Sequence, residues 1–355
     1  MRRLLRVLLI LLYVIGALLT LIILIALGGA TWNAIENSRD RKRLKPPGVL
    51  IEVDGLRLHL HCSGPQARYG TPTVVLDSGW NMSAFAWTSV QTELQKRVRV
   101  CSYDRAGMGW SDADPKLPPR GAQRLANELH ALLEYGGAQG PYVLVGHSNG
   151  GYLVRAFYDR YPKDVVGAVL VDSSSEYMDE RFNGKDWEKE AQEELRVQHA
   201  RVPLLRAIQW TGFLRWILKR QSRHMPFQLS QDVVDEATFL LNQPKVYPSA
   251  LAELDGIPET LQQLKKKGGL GELPLIVLTA GNFKPNGAVS PEQAAEWNRL
   301  WVHELQPQLA QLSTRGKQIV VDSGHLIPFE KPDAVVKAVD EVLEQAKSIK
   351  PRDAF

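Results

Sequence analysis

The chain has 355 residues, of which 44% are hydrophobic and 23% charged, and its formal net charge at pH 7 is +4. This composition excludes a disordered or fibrous protein, and the length allows one catalytic domain of ordinary size with additional segments. Eight of the 43 Lys and Arg residues lie in residues 1–45, and the rest of the chain has a small acidic excess. We therefore expect no nucleic-acid partner, which would need a basic surface on the body.

Residues 7–30 contain no charged side chain and consist mainly of Leu, Ile, Val and Ala. As a helix, a segment of this length spans roughly 30 Å of hydrocarbon. We therefore predict that residues 1–30 form a single-pass transmembrane anchor, an uncleaved signal anchor in the membrane. A cleaved signal peptide is the alternative, because Arg2, Arg3 and Arg6 precede the segment and small residues end it. The apolar run is long for a signal peptide, which favours the anchor.

The side of the membrane that the body occupies is left open by the flanking charges. Three basic residues precede the apolar segment and five follow it: Arg39, Arg41, Lys42, Arg43 and Lys45. The larger number after the segment favours a cytoplasmic body, by a small margin. Residues 31–49 end in two prolines and a glycine and are predicted to form a juxtamembrane linker.

The body begins near residue 50 with a segment in which Leu56, Leu58 and Leu60 alternate with polar residues. A period of two is typical of a strand with one solvated face. His59 and His61 lie on the polar face. A metal-binding pair is the alternative, but we expect both histidines to face solvent.

Further strands and helices alternate along the rest of the body. β-Branched runs predict buried parallel strands at 73–76, 98–102, 142–145, 168–171, 275–279 and 318–321. Ser290 and Gln293 form a capping box at the start of one helix, and the last helix has an apolar face of Val335, Val336, Val339, Val342 and Leu343. This alternation predicts an α/β sheet. The interval 176–272 is helical in pattern and is predicted to be a cap, inserted between core segments 50–175 and 273–350.

A Gly-x-Ser-x-Gly motif contains the candidate nucleophile. The strand at 142–145 runs directly into Gly146, His147, Ser148, Asn149 and Gly150, and a helical pattern follows. A serine at a sharp strand-to-helix turn needs a strained backbone with small neighbours, which the two glycines provide. The helix N-terminus also favours negative charge that develops near the serine hydroxyl. We predict that Ser148 is a nucleophile on this elbow, and the alternative is a structural serine.

Serine is a poor nucleophile at neutral pH until a base accepts its proton. His325 is the candidate base, because a short loop joins it to the strand at 318–321, at the sheet edge where α/β proteins build their sites. Solvated helix faces are expected for His130, His199, His224 and His303. His147 is adjacent to the nucleophile but is expected to point away from it.

The tetrahedral intermediate of acyl transfer carries an oxyanion that backbone N–H groups stabilise. One donor is expected from the residue after the nucleophile, Asn149. The second is expected from the loop after the strand at 73–76, where Gly79 allows a tight turn that directs the Trp80 N–H inward. The alternative is an ordinary glycine turn.

These motifs together resemble the α/β-hydrolase superfamily of the AB hydrolase-1 type, in its esterase and lipase branch with a helical cap. The resemblance covers most of residues 50–345 and depends on the segments 77–80, 103–111, 146–151 and 323–326. It implies a mostly parallel eight-stranded sheet with helices on both faces. The chain departs from the pattern in having Ser78 where a histidine commonly precedes the oxyanion glycine, and in lacking an acid just after the seventh strand.

The resemblance implies an acid that orients His325, located either after the seventh strand or at the end of the sixth. No carboxylate follows the strand at 275–279 before Glu292. Asp172 directly follows the strand at 168–171, at the same sheet edge as Ser148 and His325. We therefore predict that Asp172 is the acid, with Glu176 as the alternative.

The expected activity is serine-dependent hydrolysis of a small, hydrophobic carboxylic ester through an acyl-enzyme. No metal or organic cofactor is implied, and no oligomeric state is indicated. Epoxide hydrolases and haloalkane dehalogenases of this superfamily use a carboxylate nucleophile, so Ser148 argues against those reactions. The alternatives are amide, thioester or carbon–carbon hydrolysis, perhydrolysis, acyl transfer to an alcohol, and a non-catalytic binding protein on the same fold.

Aromatic and aliphatic residues crowd residues 202–218 of the cap, interleaved with Arg and Lys. We expect this segment to be a cap helix that covers an acyl pocket, with Trp210 and Trp216 setting the chain-length preference. The alternative is that its basic, aromatic surface rests on the bilayer beside the anchor.

Cys62 closes the first predicted strand of the body, and Cys101 lies in the strand at 98–102. In the strand order that the resemblance implies, these strands are antiparallel neighbours, so we expect the two sulfurs to lie close together. A disulfide is expected only if the body faces an oxidising compartment.

Overall fold

The structure is a computed structural model that describes residues 2–66, 71–184, 187–225, 227–282 and 290–347. The segment 283–289, where the sequence offers no acid after the seventh strand, lies outside the described residues. So do residues 348–350, at the end of the predicted core.

Eight strands form one sheet, and each predicted strand is present with bounds shifted by a few residues. The strands are β1 (Val49–Val53), β2 (Leu56–Ser63), β3 (Thr73–Asp77), β4 (Val100–Asp104), β5 (Tyr142–His147), β6 (Val165–Val171), β7 (Leu275–Ala280) and β8 (Gly316–Val321). Their order is β1-β2-β4-β3-β5-β6-β7-β8. β2 pairs antiparallel with both of its neighbours, and β3 to β8 run parallel. The predicted α/β-hydrolase fold is confirmed, and the carboxyl ends of the parallel strands share one edge.

Helices cover the sheet and fill the interval between β6 and β7. Those of the described residues are α1 (Arg2–Arg43), α2 (Thr88–Leu94), α3 (Ala122–Tyr135), α4 (Gly150–Arg160), α5 (Met178–Asn183), α6 (Trp187–Gln209), α7 (Phe213–Ser222), α8 (Gln231–Leu241), α9 (Val246–Asp255), α10 (Ile257–Lys266), α11 (Pro291–Leu300), α12 (Gln306–Ala310), α13 (Ile327–Glu330) and α14 (Pro332–Lys347). A 3₁₀ turn (Ala84–Trp87) precedes α2, and a π-helical turn (Trp301–Leu305) joins α11 to α12.

The sheet buries an apolar layer on each face because successive strand residues point to opposite sides. Residues of α3, α4, α10 and α12 pack on one face, and residues of α2 and α14 pack on the other. The predicted apolar face of the last helix is confirmed, since Val335, Val339 and Val342 are fully buried. The capping box of Ser290 and Gln293 is also present, at the start of α11.

Helix α1 is longer than the predicted anchor, because it continues through residues 31–43, which the sequence assigned to a linker. It is long and apolar enough to cross a membrane by length and composition, and its most apolar window is not buried in the protein. The helix extends beyond residue 30 because its polar residues there have partners in the body: Arg215 of α7 is hydrogen bonded to Asn33, Asn37 and Asp40.

One expectation about side-chain position is wrong. His59 does not face solvent but is fully buried, because Asp104 and the carbonyl oxygen of Pro47 cover that face of β2 and bind its ring nitrogens. Trp210 and Trp216, which were expected to cover an acyl pocket, lie in the part of the insertion next to α1. Both are half exposed, and the turn that begins with Trp210 packs on α1.

Cys62 of β2 and Cys101 of β4 are directly paired residues of two antiparallel strands and form a disulfide. The expected proximity of the two sulfurs is thereby confirmed. The bond closes a loop with a sequence separation of 39 residues. In the chain-entropy account, a loop of this size constrains the unfolded chain by about 3–4 kcal/mol.

We predict that the denatured protein titrates as thiol-free without reductant and releases two thiols after reduction. The Cys62→Ser, Cys101→Ser double variant should have a free energy of unfolding about 2–4 kcal/mol lower than the oxidised wild type, measured by chemical denaturation in detergent. Reduced wild type is the control and should match the double variant. Two free thiols before reduction would contradict the disulfide.

Candidate active site

Ser148 occupies the tip of the turn between β5 and α4. Its φ is +53°, a strained value for a residue with a side chain. The turn closes because its flanking residues are glycines: a Cβ at Gly146 would lie 2.5 Å from the carbonyl oxygen of Gly150, and one at Gly150 would lie 2.7 Å from Oδ2 of Asp77. The predicted elbow residues therefore lie together, and they hold the Ser148 hydroxyl at the N-terminus of α4.

His325 lies in the loop between β8 and α13 and contacts both other residues of the predicted triad. Its Nε2 is 3.1 Å from Oγ of Ser148, and its Nδ1 is 2.6 Å from Oδ2 of Asp172. In the tautomer with a proton on Nδ1, the Nδ1–H donates to the carboxylate. The unprotonated Nε2 can then accept the Ser148 proton. The imidazole is partly exposed, so it lies between the buried acid and the solvent-facing side of the site.

Asp172 is fully buried at the carboxyl end of β6, and its φ is +43°. Its second oxygen, Oδ1, accepts the Ala280 N–H at 2.8 Å and the Trp301 Nε1–H at 2.7 Å. These two donors fix the carboxylate so that Oδ2 faces His325. The sequence analysis missed both donors, because neither belongs to a recognisable motif. Both come close to Asp172 only because β7 lies beside β6 in the sheet.

Glu176, the alternative acid, is bound to a different partner. Arg155 of α4 donates to both of its carboxylate oxygens, at 2.6 and 2.7 Å. Burial acts to raise the pKa of Glu176, but these hydrogen bonds and the Arg155 charge leave it lowered overall. Glu176 is thus an ionised partner of Arg155, and the carboxylate that contacts His325 is that of Asp172.

The two expected oxyanion donors belong to segments next to Ser148. Within the described residues, no acceptor is hydrogen bonded to the backbone N–H of Asn149 or of Trp80. The loop of Trp80 is close to the nucleophile, since a Cβ added at Gly79 would lie 3.2 Å from Cβ of Ser148. The Trp80 indole donates to the carbonyl oxygen of Ala250 in α9, which ties this loop to the helical insertion.

A buried arginine that the sequence analysis did not single out holds the loop of Trp80. Arg105, just after β4, donates to the carbonyl oxygens of Ser78 and Gly79 at 2.6 and 2.7 Å. It also pairs with the carboxylates of Asp77 and Glu253 at 2.9 and 2.8 Å. The acidic residues neutralise its charge, so a buried cation can fix two carbonyl groups of this loop.

His147 is a further residue whose position was unexpected. Its Nε2 lies 2.8 Å from the carbonyl oxygen of His325, and its ring centroid is 4.8 Å from that of His325. The Nε2–H donates to this carbonyl oxygen and holds the backbone of the loop that contains His325. Burial, with the adjacent His325 charge, lowers the pKa of His147 to about 3, against a smaller opposite effect of this hydrogen bond.

A sequence model described as the alpha/beta hydrolase family matches residues 74–338, which is most of the chain. The chain belongs to the α/β hydrolase family.

Solved structures share the fold of this hydrolase at low sequence identity. A thermophilic esterase from Thermogutta terrifontis has a TM-score of 0.59 at 22% identity, over 85% of this chain and 99% of that one. The epoxide hydrolase CorEH has a TM-score of 0.60 at 18% identity, over 84% and 97% of the two chains. A putative acyltransferase from Salmonella enterica has a TM-score of 0.62 at 16% identity, over 84% and 94%.

Curated relatives of the hydrolase differ in how much of their length they share with it. An AB hydrolase superfamily protein of Gibberella zeae is 25% identical over 83% of this chain and 95% of its own length. A bifunctional esterase/perhydrolase of Acinetobacter calcoaceticus is 32% identical over 36% of this chain and 44% of its own length. A probable transporter of Hormonema carpetanum is 37% identical over 36% of this chain, and the match spans only 19% of the transporter.

We predict that His147 makes the stability of the hydrolase depend on acid pH. Its pKa is about 3 in the folded protein and about 6.5 when unfolded, so the unfolded state binds more protons between these values. Through His147, the free energy of unfolding therefore decreases as the pH falls below 6.5, by at most about 1.4 kcal/mol per pH unit. In thermal unfolding from pH 7 to 4.5, His147→Gln should lose less stability than wild type.

The matched control is His199→Gln, which removes a half-exposed histidine of α6. It should follow the wild-type pH dependence closely. Parallel curves for wild type and His147→Gln would contradict the assignment of a buried, neutral His147.

Proposed function

We propose that the protein is a membrane-anchored serine hydrolase that cleaves carboxylic esters with hydrophobic acyl groups. The observation that carries the proposal is the continuous hydrogen-bond chain from Ser148 through His325 to Asp172. A serine at a strained elbow, in contact with an imidazole that a buried carboxylate orients, is the arrangement that nucleophilic acyl transfer needs.

In the proposed reaction, Ser148 Oγ attacks the ester carbonyl carbon while His325 Nε2 accepts the hydroxyl proton. The tetrahedral intermediate then collapses: the bond to the leaving alcohol breaks, and His325 returns the proton to the alcohol oxygen. Water attacks the resulting acyl-enzyme with the same histidine as base, which releases the acid and restores Ser148. Protein residues supply each proton transfer.

Asp172 is the proposed orienting acid. Its hydrogen bond to Nδ1 selects the tautomer in which Nε2 is a free acceptor, and its negative charge stabilises the imidazolium that forms during attack. Because Ala280 and Trp301 bind its other oxygen, the carboxylate cannot rotate away from His325 without losing two buried hydrogen bonds.

The Asn149 and Trp80 N–H groups are the proposed oxyanion donors. Neither is used within the described part of the chain, so both are free for a ligand. Arg105 fixes the carbonyl groups of the preceding peptide units in the Trp80 loop, which restricts the direction of the Trp80 N–H. Preorganised donors of this kind stabilise charge that develops only in the transition state.

An apolar cluster beside the site supports a hydrophobic acyl group as substrate. Phe85, in the turn after the oxyanion loop, packs with Phe239 and Leu240 of α8 and with Phe329, four residues beyond His325. Helix α8 of the insertion therefore packs apolar side chains on the segments that follow the Trp80 loop and His325. We propose that this cluster adjoins the acyl-binding site, where apolar surroundings favour apolar over charged acyl groups.

Helix α1 is the proposed membrane anchor, and we propose that the body faces an oxidising compartment. The flanking charges differ by only two residues, whereas the paired position of Cys62 and Cys101 gives a disulfide that reducing compartments do not maintain. This reverses the small preference for a cytoplasmic body. The thiol titration described above tests the disulfide on which this proposal depends.

We predict that Ser148→Ala abolishes both turnover of a p-nitrophenyl ester and labelling by a fluorophosphonate. Asp172→Asn should retain the fold and lower kcat by on the order of 10⁴, because the His325 tautomer is no longer fixed. The matched control is Asp322→Asn, which changes an exposed carboxylate three residues before His325 and should leave kcat within about twofold of wild type.

Steady-state kinetics of detergent-solubilised protein, with circular dichroism to check folding, measure these effects. Labelling that survives in Ser148→Ala would contradict the proposed nucleophile. Near-normal kcat in a folded Asp172→Asn would contradict the proposed acid.

A further inference from the structure

The turn between α6 and α7 packs directly on α1. A Cβ at Gly29 would lie 2.2 Å from the carbonyl oxygen of Thr211, and one at Gly212 would lie 2.9 Å from the carbonyl oxygen of Gly29. Two glycines thus allow backbone-to-backbone contact between helix and turn. The amide of Asn33 adds a hydrogen bond to the carbonyl oxygen of Gln209, at the end of α6. The position of the turn along α1 is therefore fixed near residue 29.

Residue 29 marks a defined depth on a membrane-spanning helix. The uncharged segment 7–30, at a rise of about 1.5 Å per residue, is slightly longer than a hydrocarbon core of roughly 30 Å. Gly29 lies at the end of this segment that is nearer the body. When α1 spans a bilayer, the α6–α7 turn consequently lies where the helix leaves the hydrocarbon and enters the headgroup region.

The side chains exposed at this level are aromatic. Trp210, Phe213 and Trp216 are 52%, 51% and 50% exposed, whereas Leu214 and Arg215 form the buried side of α7. The rings of Phe213 and Trp216 stack with centroids 5.8 Å apart. Tryptophan is enriched at membrane–water interfaces, because its ring is apolar and its N–H is polar.

The same segment is basic. Residues 200–223 contain no Asp or Glu, and besides the buried Arg215 they include Arg201, Arg206, Lys219, Arg220 and Arg223. The guanidinium of Arg220 lies 5.7 Å from the Trp216 ring centroid, so a cation is adjacent to the aromatic surface. Anionic lipid headgroups attract such residues by about 1 kcal/mol for each Lys or Arg near the surface.

A buried polar network makes this geometry rigid. Arg215 of α7 donates to Asn33 Oδ1 at 3.0 Å, to Asn37 Oδ1 at 2.6 Å and to Asp40 Oδ2 at 2.6 Å. These three acceptors follow one face of α1 for two turns beyond residue 30. The orientation of α7 relative to the helix axis is therefore fixed, and so is the depth of its aromatic side chains.

We propose that Trp210, Phe213 and Trp216 form a docking edge that inserts into the headgroup region of the bilayer that α1 spans. This inference depends on the proposed membrane anchoring by α1 and not on the proposed hydrolysis. The docking edge and the anchor both contact the membrane at the same depth. These two contacts fix the orientation of the body on the membrane surface, which a single helix would leave free to rotate.

The test measures contact of the edge with lipid in the full chain. The protein is reconstituted into nanodiscs of phosphatidylcholine and phosphatidylglycerol, with or without lipids brominated near the headgroup end of the acyl chains, which quench nearby tryptophan. Trp32 of α1, beside Gly212, remains quenchable in every variant and reports on the anchor itself. The Trp210→Phe, Trp216→Phe double variant keeps aromatic side chains but removes their indole emission.

We expect the bromolipid-quenched emission of the double variant to be at least twofold lower than that of wild type. Trp297→Phe is the matched control: it removes a tryptophan that stacks on Phe182 in another part of the body, and quenching should not change. Equal quenching in wild type and double variant, with Trp32 still quenched, would overturn the docking edge. Loss of Trp32 quenching and release of the wild type from membranes by alkaline carbonate would instead show that the anchor proposal has failed.

The alternative partner for the docking edge is a second copy of the chain. Light scattering in detergent distinguishes it. A wild-type dimer that becomes monomeric in the double variant, with no bromolipid effect, would assign the edge to self-association and overturn the proposal.

Discussion

The buried carboxylate of Asp172 is the contact on which the geometry of the site depends. It lies at the end of β6, its N–H donates to Leu278 of β7, and its two oxygens bind the end of β7, the π-helical turn and the loop after β8. Four segments thus meet at one side chain. Because an unpaired buried charge is costly, the loss of any one partner disturbs the others, so the position of His325 is strongly determined.

A second buried charge, that of Arg105, has the same effect on the loop of Trp80. Arg105 connects the end of β4 to the oxyanion loop and, through Glu253, to α9 of the helical insertion. The strained φ of Ser148 persists between these two polar networks, each held by residues far away in sequence. Ser148 therefore lies within hydrogen-bond distance of His325 without a rearrangement, and the insertion is part of the structure that shapes the site.

The sequence predicted much of the fold and of the site because both follow from periodicity and from strand ends. Buried apolar runs predicted the parallel strands. Because the carboxyl ends of parallel strands share one edge, the sequence alone predicted that Ser148, Asp172 and His325 lie close together. The roles of these residues remain proposals. The partners of Asp172 were not predictable, since Trp301 reaches it across the sheet from a helix with no motif.

Side-chain environment was the part that sequence pattern predicted least well. The alternation in β2 suggested a solvated His59, but alternation does not reveal that a preceding chain segment covers that face. The aromatic residues of 202–218 were compatible with a pocket cover or with a membrane surface. The proposal of a membrane surface depends on α1 continuing to Arg43 and pairing with Arg215, a long-range contact that local pattern cannot encode.

The central claim, that Ser148 is the nucleophile, is tested most directly by acid quench in the pre-steady state and peptide mass spectrometry. With a p-nitrophenyl ester in excess, the account predicts a burst of nitrophenol close to one equivalent and an acyl mass increment on the peptide that contains Ser148. A burst with the acyl group on a carboxylate, or turnover with no covalent adduct at all, would contradict it.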